Sequence, residues 1–373
     1  ARAATQPPSS QAQAQAPDVD GEVEAAWAKA AEVEEASRRP AMLAGFAREA
    51  RLRHARGAQA QIDAEVERLR AGWVHVHVAE WGVARARTHG WWDNYTYSKA
   101  LAEALLAAEA GDVHVAIVRP SGITSALRDP EPGWTDAYLL TEPLIEGVGR
   151  KRITEFPGMP GCVIDTIPVD LVVNVCIAAG SRLLQARGRP EALPRVYQVA
   201  TGDTNPLTLG EIEKIWRGHF VERPFKQEGS GAPITGLRQV TFWEDADAFA
   251  AKLRGRYVRP LQLVQRAVEI LPYWEHAGVL RRARGFAVKQ WRTVEKVLRL
   301  AKLYSSYTLN EWRFETSNTR AMMEALSEED QGRFPFRPQS IDWREFWSDV
   351  HIPGMRRHVL GETDELCLPH SRL

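Results

Sequence analysis

A glycine-rich turn is missing where a nucleotide-binding chain would carry one. Before residue 95, no buried strand is followed by Gly-x-Gly-x-x-Gly or a looser variant. The cluster Gly229-Ser230-Gly231-Ala232-Pro233-Ile234-Thr235-Gly236 has the wrong spacing, carries a proline and follows a polar stretch, so it reads as a surface loop. Cysteine is scarce: Cys162, Cys176 and Cys367 are far apart and form no Cys-x-x-Cys pair. That excludes a disulfide framework and points to a reducing cytoplasm. The 10 histidines are scattered without a His-Glu-x-x-His. His75 and His77 alternate in a short apolar run, which reads as a strand edge, and no metal site is expected. No apolar run approaches the roughly 20 residues that cross a bilayer, and no secretory signal is visible. With 48 basic and 48 acidic residues, no global field draws nucleic acid or a membrane.

What is present suffices for a large core. The chain has 373 residues, 44% of them hydrophobic, enough for two or three structural parts. Residues 1–19 are rich in Gln, Ala, Pro and Ser and are expected to be disordered. Residues 20–90 read as charged helices, with Ala, Glu and Arg dominating up to about residue 70. Residues 91–240 alternate helical and strand patterns, and 241–373 are mostly helical and rich in aromatics.

The most informative stretch is Tyr95-Thr96-Tyr97-Ser98-Lys99. Spacing of four puts the Tyr95 phenol and the Lys99 ammonium on one helical face, one turn apart. A free phenol has a pKa of about 10, and a neighbouring cation stabilises its phenolate. Such a pair suits proton exchange with a carbonyl oxygen. Asp93 or Asn94 can cap the helix. Tyr97, Leu101, Ala104, Leu105 and Ala108 form a stripe typical of a face packed on a sheet, while Tyr95 and Lys99 lie roughly opposite. Residues 113–118 (VHVAIV) read as a buried strand, stopped by Arg119-Pro120-Ser121-Gly122. Ligands of open parallel sheets bind at the carboxyl ends of strands, so Pro120 to Thr124 should lie beside a cofactor. Against this, Pro120 and Gly122 can be ordinary strand-ending punctuation.

Further along, 162–166 is a strand candidate, and Pro168 opens a helix to about Gln185 with Asp170 in its first turn, read as structural. Residues 196–200 form the next strand, and Thr208-Leu209-Gly210-Glu211 supplies a capping box. Eight basic residues between 281 and 302 face only Glu295. That stretch reads first as an amphipathic helix with a solvated basic back. Two functional readings stand beside it: a peripheral membrane contact, or a helix meeting the phosphates of a ligand through Arg and Lys. Trp243, Trp274, Trp312 and Phe314 read as core rather than as a substrate tunnel.

The segments NYTYSKALAEALL (94–106), VAIVRPSGITSALRDPEPGWTDA (115–137), IDTIPVDLVVNV (164–175), VYQVATGDTNPLTLGEI (196–212), IDWREFW (341–347) and HIPGMRRHVL (351–360) together resemble the fatty acyl-CoA reductases. These are alcohol-forming enzymes of the extended short-chain dehydrogenase/reductase superfamily. The resemblance runs in the family's order over residues 90–360. It implies an α/β fold: the C-terminal portion of a Rossmann-like parallel sheet, followed by a mostly helical C-terminal domain. It implies that 20–90 is a helical insertion, 91–240 a partial NAD(P)-binding domain and 241–373 the family's C-terminal domain. It also implies a chain lacking the family's first, glycine-bearing half and its catalytic Ser or Thr.

By resemblance, Tyr95 and Lys99 are catalytic, and Tyr95, Lys99, Pro120, Ser121, Gly122 and Thr124 contact the cofactor. NADPH is the expected cofactor and long-chain acyl-CoA the expected substrate, reduced through an aldehyde to a fatty alcohol in the cytoplasm or at a membrane surface. An aldehyde-forming thioester reductase, another extended short-chain dehydrogenase, and a non-catalytic acyl-binding or membrane-docking remnant remain as alternatives.

Overall fold

A computed structural model describes residues 18–54, 57–185, 196–274 and 276–362. The expected disorder of 1–19 falls almost wholly outside them, as does Cys367. In chain order the elements are α1 (Val19–Ser37), α2 (Pro40–Arg53), α3 (Gln59–Thr88), α4 (Asn94–Glu109), β1 (Ile117–Pro120), β2 (Gly122–Thr124), α5 (Glu142–Gly149), β3 (Glu155–Pro157), β4 (Thr166–Pro168) and α6 (Val169–Gln185). Then follow β5 (Val196–Val199), α7 (Leu209–Glu222), β6 (Thr241–Trp243), α8 (Ala246–Leu253), α9 (Arg259–Ile270), α10 (Gly278–Thr308), α11 (Ser317–Glu324), α12 (Glu328–Arg333), α13 (Trp343–Glu345) and α14 (Ile352–His358). The chain divides into two compact units, 1–113 with 253–297, and 114–252 with 298–373.

The first unit is helical. α1, α2 and α3 pack on one another, and α4 lies against α1 and α3. Charge holds much of it together: Glu22 on α1 accepts from Arg85 at 2.9 Å, and Glu65 on α3 pairs with Arg53 at 2.8 Å and Arg68 at 2.6 Å. His75 and His77 lie inside α3, not on a strand. Their alternation covers only a few residues, whereas strong helix formers surround them; the His77 ring stacks on Trp73 one turn earlier, 3.9 Å between centroids.

The second unit carries every strand of the described residues, and each ladder is parallel. β1 pairs with β5, β2 with β4, and β3 with β6. Among the described residues these are three two-stranded ladders rather than one broad sheet. The strands are three or four residues long, and β1, β3 and β4 each end on a proline, which has no N–H to extend a ladder. β1 begins at Ile117, four residues later than the apolar run suggests, because Val113 is exposed. The 162–166 strand is likewise displaced to Thr166–Pro168, and Val163 instead makes an isolated bridge with Thr208.

α6 buries Leu171, Val172, Val175 and Ala178. α7 carries the expected capping box and buries Ile212, Trp216 and Phe220. Trp216 meets Trp347 edge-on at 5.5 Å. Two π-helical turns, at Arg254–Val258 and Phe346–His351, precede α9 and α14. In each, a backbone N–H reaches back five residues, Arg259 to Arg254 and Ile352 to Trp347, just before Pro260 and Pro353. The widened turn accommodates a ring that would clash with the carbonyl four residues earlier.

Candidate active site

Asp93 caps α4 by accepting from the Thr96 N–H at 2.7 Å, so Tyr95 stands in the first helical turn. Its ring is 64% exposed, and the Lys99 Nζ lies 5.6 Å from the ring centroid. The pair therefore shares one open face, as its spacing requires. Tyr97, two residues on, points the other way and is 6% exposed. It stacks on His89 at 5.1 Å, and burial together with the nearby Glu22 carboxylate pushes its phenol up to about 12. Of the two tyrosines only Tyr95 is accessible for proton exchange. The stripe led by Tyr97 is covered only near its start: Leu105 and Ala108 are exposed. Within this unit α4 lies on α1 and α3; the six described strands belong to the other unit.

Pro120, Ser121, Gly122 and Thr124 belong to the second unit and gather where the parallel strands end. The Ser121 N–H donates to the Val199 carbonyl at 2.9 Å and the Gly122 N–H to the Asp165 carbonyl at 3.1 Å. A Cβ on Gly122 would stand 3.1 Å from that same carbonyl oxygen, so close approach favours glycine there. The Ser121 Oγ and Thr166 Oγ1 are buried without hydrogen-bond partners among the described residues. Thr124 is buried, and its hydroxyl donates to the Ile167 carbonyl at 3.2 Å. Asp165 accepts from the Thr201 and Gly202 N–H groups, both at 2.9 Å, fixing the loop after β5. Asp170 has the structural role its sequence position suggested: it accepts from the N–H groups of Leu127 and Arg128 at 2.9 Å and of Asp129 at 3.3 Å.

One cluster has no local sequence signal. His351 is fully buried, and its Nδ1 accepts from the Ser125 N–H at 3.3 Å and lies 2.9 Å from the Ser125 Oγ. The backbone donor leaves Nδ1 unprotonated, so the ring proton is assigned to Nε2. Nε2 lies 3.4 Å from the Thr141 Oγ1 and 3.6 Å from the Glu142 Oε1. Burial pushes the imidazole down to about 3 and the Glu142 carboxyl up to about 7. Nearby, Gly133 and Gly354 touch backbone to backbone, and a Cβ on either would collide. Thus 115–137 and 351–360, two segments far apart in sequence, pack on each other. The contact pairs residues more than 200 positions apart, which no local pattern reveals.

Known proteins resemble this chain along two separate segments and over most of its length. A family model described as Male sterility protein, an NAD-binding domain, matches residues 46–176. The Sterile model, also described as Male sterility protein, matches 277–362. The chain is 33% identical over 279 residues to Fatty acyl-CoA reductase 2, chloroplastic, of Arabidopsis thaliana, covering 75% of this chain and 44% of that protein. It is 31% identical to Fatty acyl-CoA reductase 1 of the same plant, over 76% of this chain and 55% of that one. The Alcohol-forming fatty acyl-CoA reductase of Simmondsia chinensis is 28% identical over 75% of this chain and 55% of its own length. The chain thus spans about half the length of the curated relatives it matches. With an NAD-binding segment, a Sterile segment and reductase relatives aligned across three quarters of its residues, the chain belongs to the fatty acyl-CoA reductase family.

Proposed function

We propose that this chain takes part in the NADPH-dependent reduction of a long-chain acyl-CoA to a fatty alcohol, through an aldehyde. The observation that carries the reading is the exposed Tyr95 beside Lys99 on the capped first turns of α4, in a chain of reductase ancestry. Bound NADPH would supply hydride to the thioester carbonyl carbon. Tyr95 Oη would hydrogen-bond and protonate the carbonyl oxygen as negative charge develops there. Lys99 would stabilise the phenolate that remains and bind the ribose hydroxyls. The partnerless Ser121 hydroxyl and the Gly122 cradle support a cofactor edge at the strand ends; Pro120 would close that edge and Thr124 would hold it in register. Loss of CoA thiol would yield the aldehyde, and a second hydride the alcohol.

The preference for NADPH, the Rossmann-like organisation of 91–240 and the helical reductase domain over 241–373 form part of the same proposal. The alcohol-forming relative supports alcohol over an aldehyde end product. Free thiols at Cys162 and Cys176 support a reducing, cytoplasmic setting. A peripheral membrane contact through 281–302 is favoured by exposed Phe286 beside the exposed Arg282 and Lys289.

Acyl-CoA-dependent NADPH oxidation, with products identified by mass spectrometry, tests the reading in the longest protein carrying this sequence. Two NADPH should be consumed per alcohol formed. Tyr95→Phe should lose most turnover while retaining cofactor affinity, and unchanged turnover would remove the assignment.

A further inference from the structure

Within the first unit, α2 and the start of α10 enclose a groove of about 510 Å³. Arg53, Arg281, Arg284, Lys289 and Arg292 line it, and Glu49 is its single acidic residue. That carboxylate is shared three ways: Arg53 reaches it at 3.1 Å, Arg284 at 3.2 Å and Arg292 at 3.4 Å. Arg284 has a second partner, Glu269, at 2.7 Å, and Arg53 has Glu65 at 2.8 Å. No carboxylate of the groove is left for Lys289. The wall itself carries five cations and one carboxylate, with Glu65 and Glu269 pairing Arg53 and Arg284 from outside it, and the hydrophobic floor at Leu52 and Val288 limits solvation.

Crowding is evident in Arg292, whose pKa burial lowers, with the neighbouring Arg53, Arg284 and Arg68 adding to the fall against the pull of Glu49. Arg53, Arg284 and Arg292 thus converge on one carboxylate inside a concave surface. Guanidinium forks match phosphate oxygens bidentately, and several held close together suit a ligand with clustered phosphates.

We propose that this α2–α10 groove binds the 3′-phosphate and diphosphate of the CoA half of the substrate. The inference rests on the acyl-CoA reading above and adds a site to it, separate from Tyr95 and Lys99. The basic back of 281–302 is then not merely solvated: Arg284, Lys289 and Arg292 line the groove, whereas Arg282, Lys296 and Arg299 do not.

Calorimetric titration of the 373-residue chain with free CoA tests the site, with 3′-dephospho-CoA, pantetheine and inorganic phosphate as comparison probes. CoA should bind saturably, dephospho-CoA about tenfold more weakly, and pantetheine not measurably. Lys289→Gln and Arg292→Gln, both at solvent-reachable positions, should each weaken CoA binding about fivefold to tenfold. Glu49→Gln should tighten it, a sign that a purely structural role for Glu49 would not produce. No CoA binding, equal binding of pantetheine, or unaltered affinity in both cation variants would overturn the proposal. So would loss of binding to phosphatidylserine vesicles with CoA affinity intact, which would assign the groove to lipid headgroups. In the turnover assay the same two variants should raise the acyl-CoA KM and leave the NADPH KM unmoved. CoA held in the groove without any reduction would sink the reductase reading alone; reduction with an unmoved acyl-CoA KM would sink the groove alone.

Discussion

The two units are held together by different forces. The second is built around large apolar groups: Trp216, Phe220, Phe225, Phe346 and Trp347 are all buried, and the Phe220 and Phe225 rings stack at 4.8 Å. Some of its buried polar groups are tied down, as at His351 and Asp170, while the Ser121 and Thr166 hydroxyls are buried without partners among the described residues. The first unit buries mostly small or isolated apolar residues, such as Val33, Ala50, Ala86 and Ala287, and joins its helices with carboxylate–guanidinium pairs. Hydrophobic burial is insensitive to ionic strength, whereas exposed pairs are screened by salt. The two units thus have different sensitivities, and four measurements separate them.

The largest effect is expected from Trp347→Ala in the second unit. Trp347 is fully buried and touches Trp216, Phe346 and His351. Its truncation should cost about 3–5 kcal/mol in denaturant unfolding, and a loss below 1 kcal/mol would show that this cluster is not the core.

Next comes pH. The Glu142 pKa is raised to about 7 from 4.5, so the folded state holds a proton that the unfolded state has released between those values. Stability from this group falls as pH rises from 4.5 to 7. His351 and His219, both pushed down to about 3 from 6.5, act oppositely, losing stability as pH falls from 6.5 to 3. Glu142→Gln should therefore stabilise the protein by about 2–3 kcal/mol at pH 8 and leave acid sensitivity in place. Equal stability of variant and parent at pH 8 would show that Glu142 is not the group responsible.

In the first unit, Glu65→Gln removes the shared partner of Arg53 and Arg68. The Glu65 carboxyl sits at about 2, below its usual 4.5, with the Arg68 hydrogen bond as the leading cause. Its contribution is present above pH 4.5 and is lost as pH falls toward 2. Glu65 is buried, but Arg68 is exposed and Arg53 reaches solvent, so the cost at pH 7 should be about 1 kcal/mol, shrinking in 1 M salt. A cost independent of salt would argue for packing instead of charge. Smallest of all, Leu105→Ser on the exposed part of α4 should change stability by less than about 0.5 kcal/mol. A loss of several times that would reveal a covering surface over the α4 stripe.

Legibility from sequence followed the range of the forces involved. The Asp93 cap, the Thr208–Glu211 capping box, the Pro168-led helix and the orientation of Tyr95 with Lys99 depend on neighbours within four residues, and each could be placed from its own segment. Strand limits were displaced: at 113–118 and 162–166 the apolar pattern marks the region, but hydrogen bonding to a distant partner sets where each ladder begins. The strand reading of His75 and His77 failed because a brief alternation lost to a long stretch of helix-forming residues.

The His351–Ser125–Glu142 contact and the Gly133–Gly354 approach could not be foreseen from any window. Motif resemblance marked their segments without saying that they touch. Sequence alone determined α4, α6 and α7, the Asp93 and Thr208 caps and the Tyr95–Lys99 face, because these follow from local periodicity and residue order, and motif resemblance pointed to the family. Tertiary structure alone decided which carboxyl is held near neutrality, which tyrosine is closed to solvent and which cations share Glu49, because burial and charge crowding arise only when distant segments are brought together.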